Sequence, residues 1–446
     1  MRIKSSHSNL LNFLSCSKLK IFGVRNNIKY LAFMILVSIG LVFVAINKKA
    51  DAYNMNDFVI EVDTTKGEDP SYTIPVGFYS MDYSVDCDND GVLDAVGQTS
   101  SYTCTYPSHG TYTIAISGNF PSFYNGNVTT DNNKNKIIDV KQWGGQVWKS
   151  LSSAFSNASN LNVTAVDTPN LSQVTSLSSM FSFASSLNSP LSSWDVSNVT
   201  DLSYMFFGAS SFNQPLNSWD VSKVTNLYGM FYNASTFNQP LNNWDTSSVT
   251  NMGSMFLNTD SFNQPLDSWD ISNAIDISYM FFGAKSFNQP LNNWDTSNVT
   301  NMSDMFSGAD AFNQPLNDWD TSNVTNMSSM FSYTSAFNQT LDSWNTSNVT
   351  NMNYMFFYAE SFDWSIGNFN LTSVSSLSNI LYNSSISNKN YDLTLSGWSK
   401  QSVSPGLSFS AMPAKYCNVE ARSILTSEPN NWTIIDGGKA NAVCCG

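Results

Sequence analysis

One motif repeats along most of the chain with a fixed period of 25 residues. A typical unit reads Trp-Asp-Thr-Ser-Asn-Val-Thr-Asn-Met-Ser-Asp-Met-Phe, as at 294–306, and tryptophans stand at 194, 219, 244, 269, 294, 319 and 344. A unit this short cannot bury its own apolar face, so such units stack on one another. Because the spacing between these tryptophans never changes, we expect the units, which we call rungs, to stack in register.

The apolar residues inside a rung recur every three or four positions, which is typical of one face of a helix. In one rung they are Val299, Met302, Phe306, Ala309 and Phe312. The segment 316–322 is short and bounded by Pro315, which is typical of a brief strand. These patterns predict an α/β solenoid of the leucine-rich-repeat type, with one short strand and one short helix in each 25-residue rung, preceded by a small all-β sandwich.

Stacking places equivalent polar residues of successive rungs in columns. We expect one column of amides to bond the backbone of the adjacent rung; its members are Asn213, Asn238, Asn263, Asn288, Asn313 and Asn338. A second column, which we call the aspartate column, holds Asp195, Asp220, Asp245, Asp270, Asp295 and Asp320, with Asn345 in the next position. Either each carboxylate accepts hydrogen bonds from its own turn, or the column binds a cation or another ligand.

The composition favours an exported binding protein over a nucleic-acid-binding one. Only 12% of the residues are charged, and the net charge is −14. Residues 1–52 hold eight Lys or Arg and one Asp, so the remainder is still more acidic. An acidic surface repels phosphate backbones, and we therefore expect no nucleic-acid partner.

The first 52 residues have the pattern of a targeting segment. A basic stretch precedes an apolar run at residues 30–46, and Ala50-Asp51-Ala52 resembles a cleavage site. The segment is either a cleaved signal peptide or an uncleaved signal-anchor, since the apolar run is near the lower limit for a membrane span. Both alternatives predict a secreted or cell-surface protein, and only the uncleaved one is anchored in the membrane, through residues 30–46.

Beyond the first 52 residues the chain has five cysteines, at 87, 104, 417, 444 and 445. They flank the repeats, and disulfides between them are expected in an exported protein. We predict one disulfide between Cys87 and Cys104. Cys417 is expected to pair with Cys444 or Cys445, because a bond between the two adjacent cysteines would be strained.

The sequence before the repeats alternates apolar and polar residues in short runs between 57 and 121, which predicts the strands of the sandwich. The expected organisation is a signal segment at 1–52, a sandwich of the PKD or immunoglobulin type at 53–123, a linker at 124–135, the repeats at 136–389 and a C-terminal cap at 390–446.

One turn of this sandwich resembles a calcium-binding loop. Carboxylates occupy loop positions 1, 3, 5 and 9, a glycine occupies position 6 and a free backbone carbonyl position 7; the candidate ligands are Asp86, Asp88, Asp90, Val92 and Asp94. Gly97 stands where such loops carry a bidentate glutamate. The alternative is an acidic hairpin turn that forms without metal.

The residue after each Met-Phe pair varies between rungs and is often aromatic. Phe207, Tyr232, Phe282 and Phe357 are the candidate binding residues. Exposed aromatic side chains at these positions form a binding surface; the alternative is that they fill gaps between the helices of successive rungs.

The unit at 287–306 closely resembles the repeat of BspA-like leucine-rich-repeat surface proteins. Residues 429–438, Pro-Asn-Asn-Trp-Thr-Ile-Ile-Asp-Gly-Gly, resemble the C-terminal end of that family, and 57–121 looks like the PKD-type sandwich that often precedes such repeats. The resemblance implies a surface or secreted protein that functions in adhesion or partner binding, and it implies no catalytic residues.

These observations predict a non-enzymatic surface protein that binds an extracellular protein or glycan. His109 is the only histidine beyond the signal segment, and the sequence contains no nucleophile triad or phosphate-binding loop. The alternatives are a structural spacer or coat protein without a specific ligand, and a glycoside hydrolase that uses two carboxylates. No cofactor other than calcium is expected.

Overall fold

The computed structural model describes residues 53–126 and 131–441. The predicted signal segment, with its apolar run at residues 30–46, lies outside the described residues, and so do Cys444 and Cys445. None of the helices in the described part of the chain combines the length and apolarity that a membrane crossing requires.

The N-terminal part is built from short strands, as the alternating pattern predicts. The strands are β1 (Phe58–Asp63), β2 (Ser71–Ile74), β3 (Asp82–Asp86), β4 (Ala95–Gln98), β5 (Tyr102–Thr105), β6 (Thr111–Asn119), β7 (Ile137–Gln142) and β8 (Asn162–Val163). They form a six-stranded sheet in the order β4-β3-β6-β1-β7-β8 and a separate antiparallel pair of β2 and β5. Apolar side chains of both sheets, such as Ile60 and Tyr72, are fully buried in one core.

The large sheet continues into the repeats. β1 pairs with β6 on one side and with β7 on the other, and β7 pairs in parallel with β8. The segment predicted as a linker contains a short helix, α1 (Asp131–Lys134). The chain from Tyr53 onward forms one compact unit, and its buried side chains make one continuous apolar core from Phe58 to Trp432.

The predicted α/β solenoid, with a helix and a strand in each rung, is wrong. The described chain is mainly strands and turns, and the Met-Phe stretch of every rung is a run of tight turns. The segment 316–322 forms no strand. Instead, single parallel bridges join successive rungs seven residues after the equivalent tryptophans, as between Asn301 and Asn326.

The backbone hydrogen bonds explain why a helix does not form. In one rung, alternate N–H groups donate to the carbonyl groups of the next rung, from Leu202, Tyr204, Phe206 and Gly208. Between them, the N–H groups of Met205 and Phe207 close turns within the rung by donating to the carbonyl three positions back. Tyr204 and Gly208 also have positive φ values of 56° and 68°, which a right-handed helix excludes. The apolar spacing of three and four therefore comes from successive turns.

The predicted columns of core residues are present. Equivalent phenylalanine rings stack from rung to rung, as Phe281 does on Phe306 with centroids 5.7 Å apart. Trp294 is nearly buried, and its Nε1 donates to the carbonyl of Leu266 at 2.9 Å. The amide column is also confirmed: the N–H of Asn313 donates to Oδ1 of Asn288 at 3.0 Å, and the same bond recurs along the stack.

The C-terminal part closes the stack with two helices and a pair of parallel strands. Helix α2 (Asn388–Trp398) is capped by Ser387, and helix α3 (Val419–Thr426) by Asn418. Strands β9 (Ser408–Ser410) and β10 (Thr433–Ile435) pair in parallel. Trp398 is fully buried, and its Nε1 donates to the carbonyl of Ile366 in the final rungs at 3.0 Å.

Candidate functional site

The four aromatic residues predicted to bind a partner lie half-buried on the surface of the stack. Phe207 and Tyr232 belong to neighbouring rungs, and their ring centroids are 4.7 Å apart. The ring centroids of Phe282 and Tyr279 are 5.9 Å apart. Phe357 contacts aromatic rings in its own rung and in both adjacent rungs. The residues both pack against neighbours and retain an accessible face.

Phe207 and Tyr232 are part of a larger aromatic surface near the start of the repeats. We call it the N-terminal aromatic patch, and it consists of Phe183, Tyr204, Phe207, Tyr228 and Tyr232. Phe183 lies 4.5 Å from Phe207, and Tyr204 lies 5.2 Å from Tyr228, between ring centroids. Phe183 is 44% exposed. Phe183, Tyr204 and Tyr228 are not among the residues chosen from the sequence.

A second aromatic surface lies near the end of the repeats. The C-terminal aromatic patch consists of Tyr333, Tyr354, Phe357, Tyr358 and Tyr382. Tyr333 stacks on Tyr358 with centroids 5.1 Å apart, and it is 53% exposed. Between the two patches, buried serines at 307 and 332 occupy the column that holds Phe207 and Phe357. The aromatic surface is therefore interrupted.

Glycines of the next rung hold the rings of the N-terminal patch in place. A Cβ at Gly208 would lie 2.7 Å from the Phe183 ring, and one at Gly229 would lie 2.8 Å from the Tyr204 ring. Each ring thus rests directly on a glycine backbone. The sequence could indicate these packed rings, because in each pair the glycine stands 25 positions after the aromatic residue.

Tyr204 of the patch stays protonated at neutral pH. Burial, followed by the proximity of Tyr228, raises its pKa to about 12. Its phenol group therefore offers a ligand both a hydrogen-bond donor and an acceptor.

A cavity of about 440 Å³ adjoins this patch at Phe183. Its lining residues are Lys134, Asn135, Asn157, Ser159, Phe183 and Ser185. The cavity is in the size range of small-ligand sites, and its wall combines one aromatic ring with hydroxyl and amide groups.

The acidic turn brings together three of its predicted ligands. Carboxylate oxygens of Asp86, Asp88 and Asp94 lie within 4.8 Å of one another. Burial, followed by the charges of neighbouring aspartates, raises the pKa of Asp88.

Two of these carboxylates already accept hydrogen bonds from backbone N–H groups. Asp86 accepts from the N–H of Gly91 at 2.9 Å, and Asp94 accepts from the N–H of Cys87 at 2.7 Å. Asp90 accepts from the N–H of Val92 at 2.8 Å. These bonds explain the loop as an acidic turn, and its binding of calcium stays a prediction.

The predicted disulfide between Cys87 and Cys104 is present and joins the ends of β3 and β5. Cys417 is also disulfide-bonded, whereas Cys444, its predicted partner, lies outside the described residues.

The aspartate column consists of local turns. Oδ1 of each aspartate accepts from the N–H group two residues later, at 2.9 to 3.1 Å. Hydrogen bonds from the side chain and backbone of Ser222 lower the pKa of Asp220, and the equivalent serines act on Asp195 and Asp320. The turn interpretation is confirmed, so the carboxylates need no cation to hold them.

Comparison with known proteins identifies the repeats. Residues 149–263, 241–333 and 314–409 each match the family described as Mycoplasma protein of unknown function, DUF285. No curated protein and no solved structure matches the sequence. Because the matched segments together span more than half of the chain, the protein belongs to the DUF285 family.

Proposed function

We propose that this DUF285 protein is a non-enzymatic, extracellular or cell-surface protein that binds an extracellular protein or glycan. The N-terminal aromatic patch carries the proposal. Its rings extend across three consecutive rungs, from Phe183 through Phe207 to Tyr232, with centroid distances of 4.5 and 4.7 Å. Contiguous exposed aromatic surfaces mark binding sites on soluble proteins.

The rigidity of the patch supports the same function. The backbone N–H of Phe183 donates to the carbonyl of Phe207 at 2.6 Å, and the N–H of Gly208 donates to that of Tyr232 at 2.8 Å. Rings attached to an ordered ladder lose little freedom when a partner binds, which favours affinity. The resemblance to BspA-like surface proteins supports an adhesive role.

The alternative is a structural spacer. Phe207, Tyr232, Phe282 and Phe357 are only partly exposed, and each contacts a neighbouring aromatic ring. If gap filling is their whole role, they stabilise the stack and have no partner.

Binding of the full chain to arrays of glycans and extracellular-matrix proteins, with and without calcium, tests the proposal. The decisive variant combines Phe207→Ala with Tyr232→Ala, and a second combines Tyr354→Ala with Phe357→Ala. Phe78→Ala is the control, because Phe78 is 86% exposed but lies outside both patches.

We expect selective, saturable binding that at least one double variant abolishes and the control retains. Circular dichroism establishes that each variant is folded. A folded wild-type chain that binds nothing on either array would contradict the proposal and favour the spacer.

A further inference from the structure

The cavity beside the N-terminal aromatic patch has a fixed polar wall. The Ser159 hydroxyl donates to Oδ1 of Asn135 at 2.9 Å, and the Ser185 hydroxyl donates to the carbonyl of Ser159 at 3.3 Å. The backbone N–H of Asn157 donates to the carbonyl of Ser182 at 2.7 Å. Asn135, directly after helix α1, and two successive rungs therefore hold the wall together before any ligand arrives.

The aromatic side of the cavity is equally fixed. The ring of Phe183 rests on Gly208, where a Cβ would lie 2.7 Å from the ring, and it contacts Phe207 at 4.5 Å. Its remaining surface, 44% of the residue, is exposed. The ring thus offers one accessible apolar surface at the boundary between the cavity and the patch.

Lys134 is the only charged residue among the six described residues that line the cavity. Two other lysines of this part of the chain are paired: Lys136 with Asp69, and Lys141 with Glu61 at 3.0 Å. Lys134, by contrast, has no ion pair and no side-chain hydrogen bond with any residue whose side chain the structure describes, at 53–126 and 133–441. An ammonium group beside described wall residues that carry no charge favours an anionic ligand group.

We propose that this cavity binds the carboxylate-bearing terminal sugar of a glycan, an inference that rests on the proposed binding function. The ammonium group of Lys134 pairs with the carboxylate, and the hydroxyl and amide groups bond the sugar hydroxyls. The ring of Phe183 packs against the C–H face of the sugar. Phe207 and Tyr232 continue the aromatic surface outward, where the following sugars lie.

The combination of groups favours an acidic sugar over a phosphorylated peptide. Phosphate recognition in proteins typically uses arginine clusters or several backbone amides, whereas this wall offers one lysine, an aromatic face and neutral polar groups. A single ammonium group matches the single charge of a sugar carboxylate.

The test is binding of the full chain to matched glycans that differ only in the carboxylate: sialylated against desialylated chains, and uronic-acid-terminated against the corresponding hexose-terminated chains. Lys134→Gln and Phe183→Ala are the site variants. Phe78→Ala is the control for Phe183, because Phe78 is 86% exposed and lies outside both patches. Lys149→Gln, at an exposed lysine outside the cavity, is the control for charge.

We expect binding of an acidic glycan that exceeds binding of its neutral counterpart by about tenfold or more, the size of effect that a charged hydrogen bond gives. Lys134→Gln should remove this preference, Phe183→Ala should weaken binding, and both controls should bind as wild type does. The preference should also fall as salt is added.

Equal binding of both glycans, unaffected by Lys134→Gln, would overturn the inference while leaving a glycan-binding function in place. Saturable binding to a protein or phosphopeptide, without any glycan, would overturn it in the same way. Absence of all binding by the folded chain would overturn the proposed function as well.

Discussion

The close contact between helix α2 and the last rungs predicts whether replacing a glycine in α2 by alanine stabilises or destabilises the protein. A Cβ added to Gly397 would lie 2.2 Å from the carbonyl oxygen of Gly367 and 2.5 Å from its Cα. A Cβ added to Gly367 would in turn meet the helix backbone, 2.6 Å from the carbonyl oxygen of Leu393. We therefore predict that Gly397→Ala destabilises the C-terminal end of the molecule.

The magnitude follows from two opposing effects. In a helix without tertiary contacts, replacing glycine by alanine stabilises by about 0.5–1 kcal/mol. Here the new Cβ must move by ~0.8 Å, from 2.2 Å to the 3.0 Å below which real Cβ contacts essentially never fall. The obstructing atoms are backbone, so α2 itself must shift. Overpacking of this kind costs about 1–3 kcal/mol, and we expect a net loss of about 1–2 kcal/mol.

Hydrogen exchange of α2, together with urea unfolding followed by tryptophan fluorescence, measures this effect. Trp398 is adjacent to the substituted residue and is buried against Ile366, so its emission reports undocking of the helix. Ser396→Ala in the same helix is the control, because it raises helix propensity without meeting the Gly367 backbone. Equal or greater stability of Gly397→Ala relative to Ser396→Ala would refute the close backbone contact.

Three further predictions concern hydrogen bonds along the stack. Asn288→Ala removes an oxygen that accepts two bonds from the next rung, and should cost about 1–2 kcal/mol in urea unfolding; a similar loss in the exposed control Asn242→Ala would contradict this. Thr394→Val leaves the buried N–H of Ile366 without its acceptor, and should cost about 1–3 kcal/mol by the same assay; an unchanged midpoint would show that the bond is dispensable. The aspartate column includes carboxylates whose pKa is lowered on folding. The stabilisation that these carboxylates give to the folded state should be complete above the unfolded pKa of about 3.9 and be lost as pH falls through the folded pKa. Asp220→Asn should therefore weaken the dependence of the urea unfolding midpoint on pH in this acid range. An unchanged dependence on pH would count against the turn bonds.

The repeat period predicted which residues share the core, but it did not predict the backbone that joins them. Val299, Met302 and Phe306 are fully buried, as the pattern indicates. A spacing of three and four residues arises in a helix and equally in successive turns whose N–H groups alternate between their own rung and the next. The left-handed residues that exclude the helix include Tyr204 and Asp304, with φ of 56° in each. Aspartate is among the residues that favour this conformation, but tyrosine does not, so Tyr204 gives no sign of it in the sequence.

The sequence indicates the site residues that recur at one position of successive rungs. It does not indicate those that separate segments of the chain bring together. Phe207 and Tyr232 were found because they stand after each Met-Phe pair. Phe183 belongs to another column, and its role depends on a glycine in the next rung. The cavity depends on the placement of Lys134, which comes from the helix before the repeats and which no periodicity in the rungs can indicate.

Positions at which the residue differs between rungs are better candidates for functional residues in this fold than positions at which it stays the same. Residues that face the core must match their neighbours above and below, so a change in one rung affects the packing of two others. Surface positions are less constrained, although a surface ring can still require a glycine in the next rung, and here they vary between aromatic residues, glycines, asparagines and serines. An aromatic residue followed by glycine in the next rung, as Phe183 is by Gly208, produces a ring that packs against the glycine and stays partly accessible. A serine or asparagine satisfies the same kind of left-handed turn without exposing an apolar ring, so the aromatic residues at these positions are the ones at which the proposed partner should be sought first.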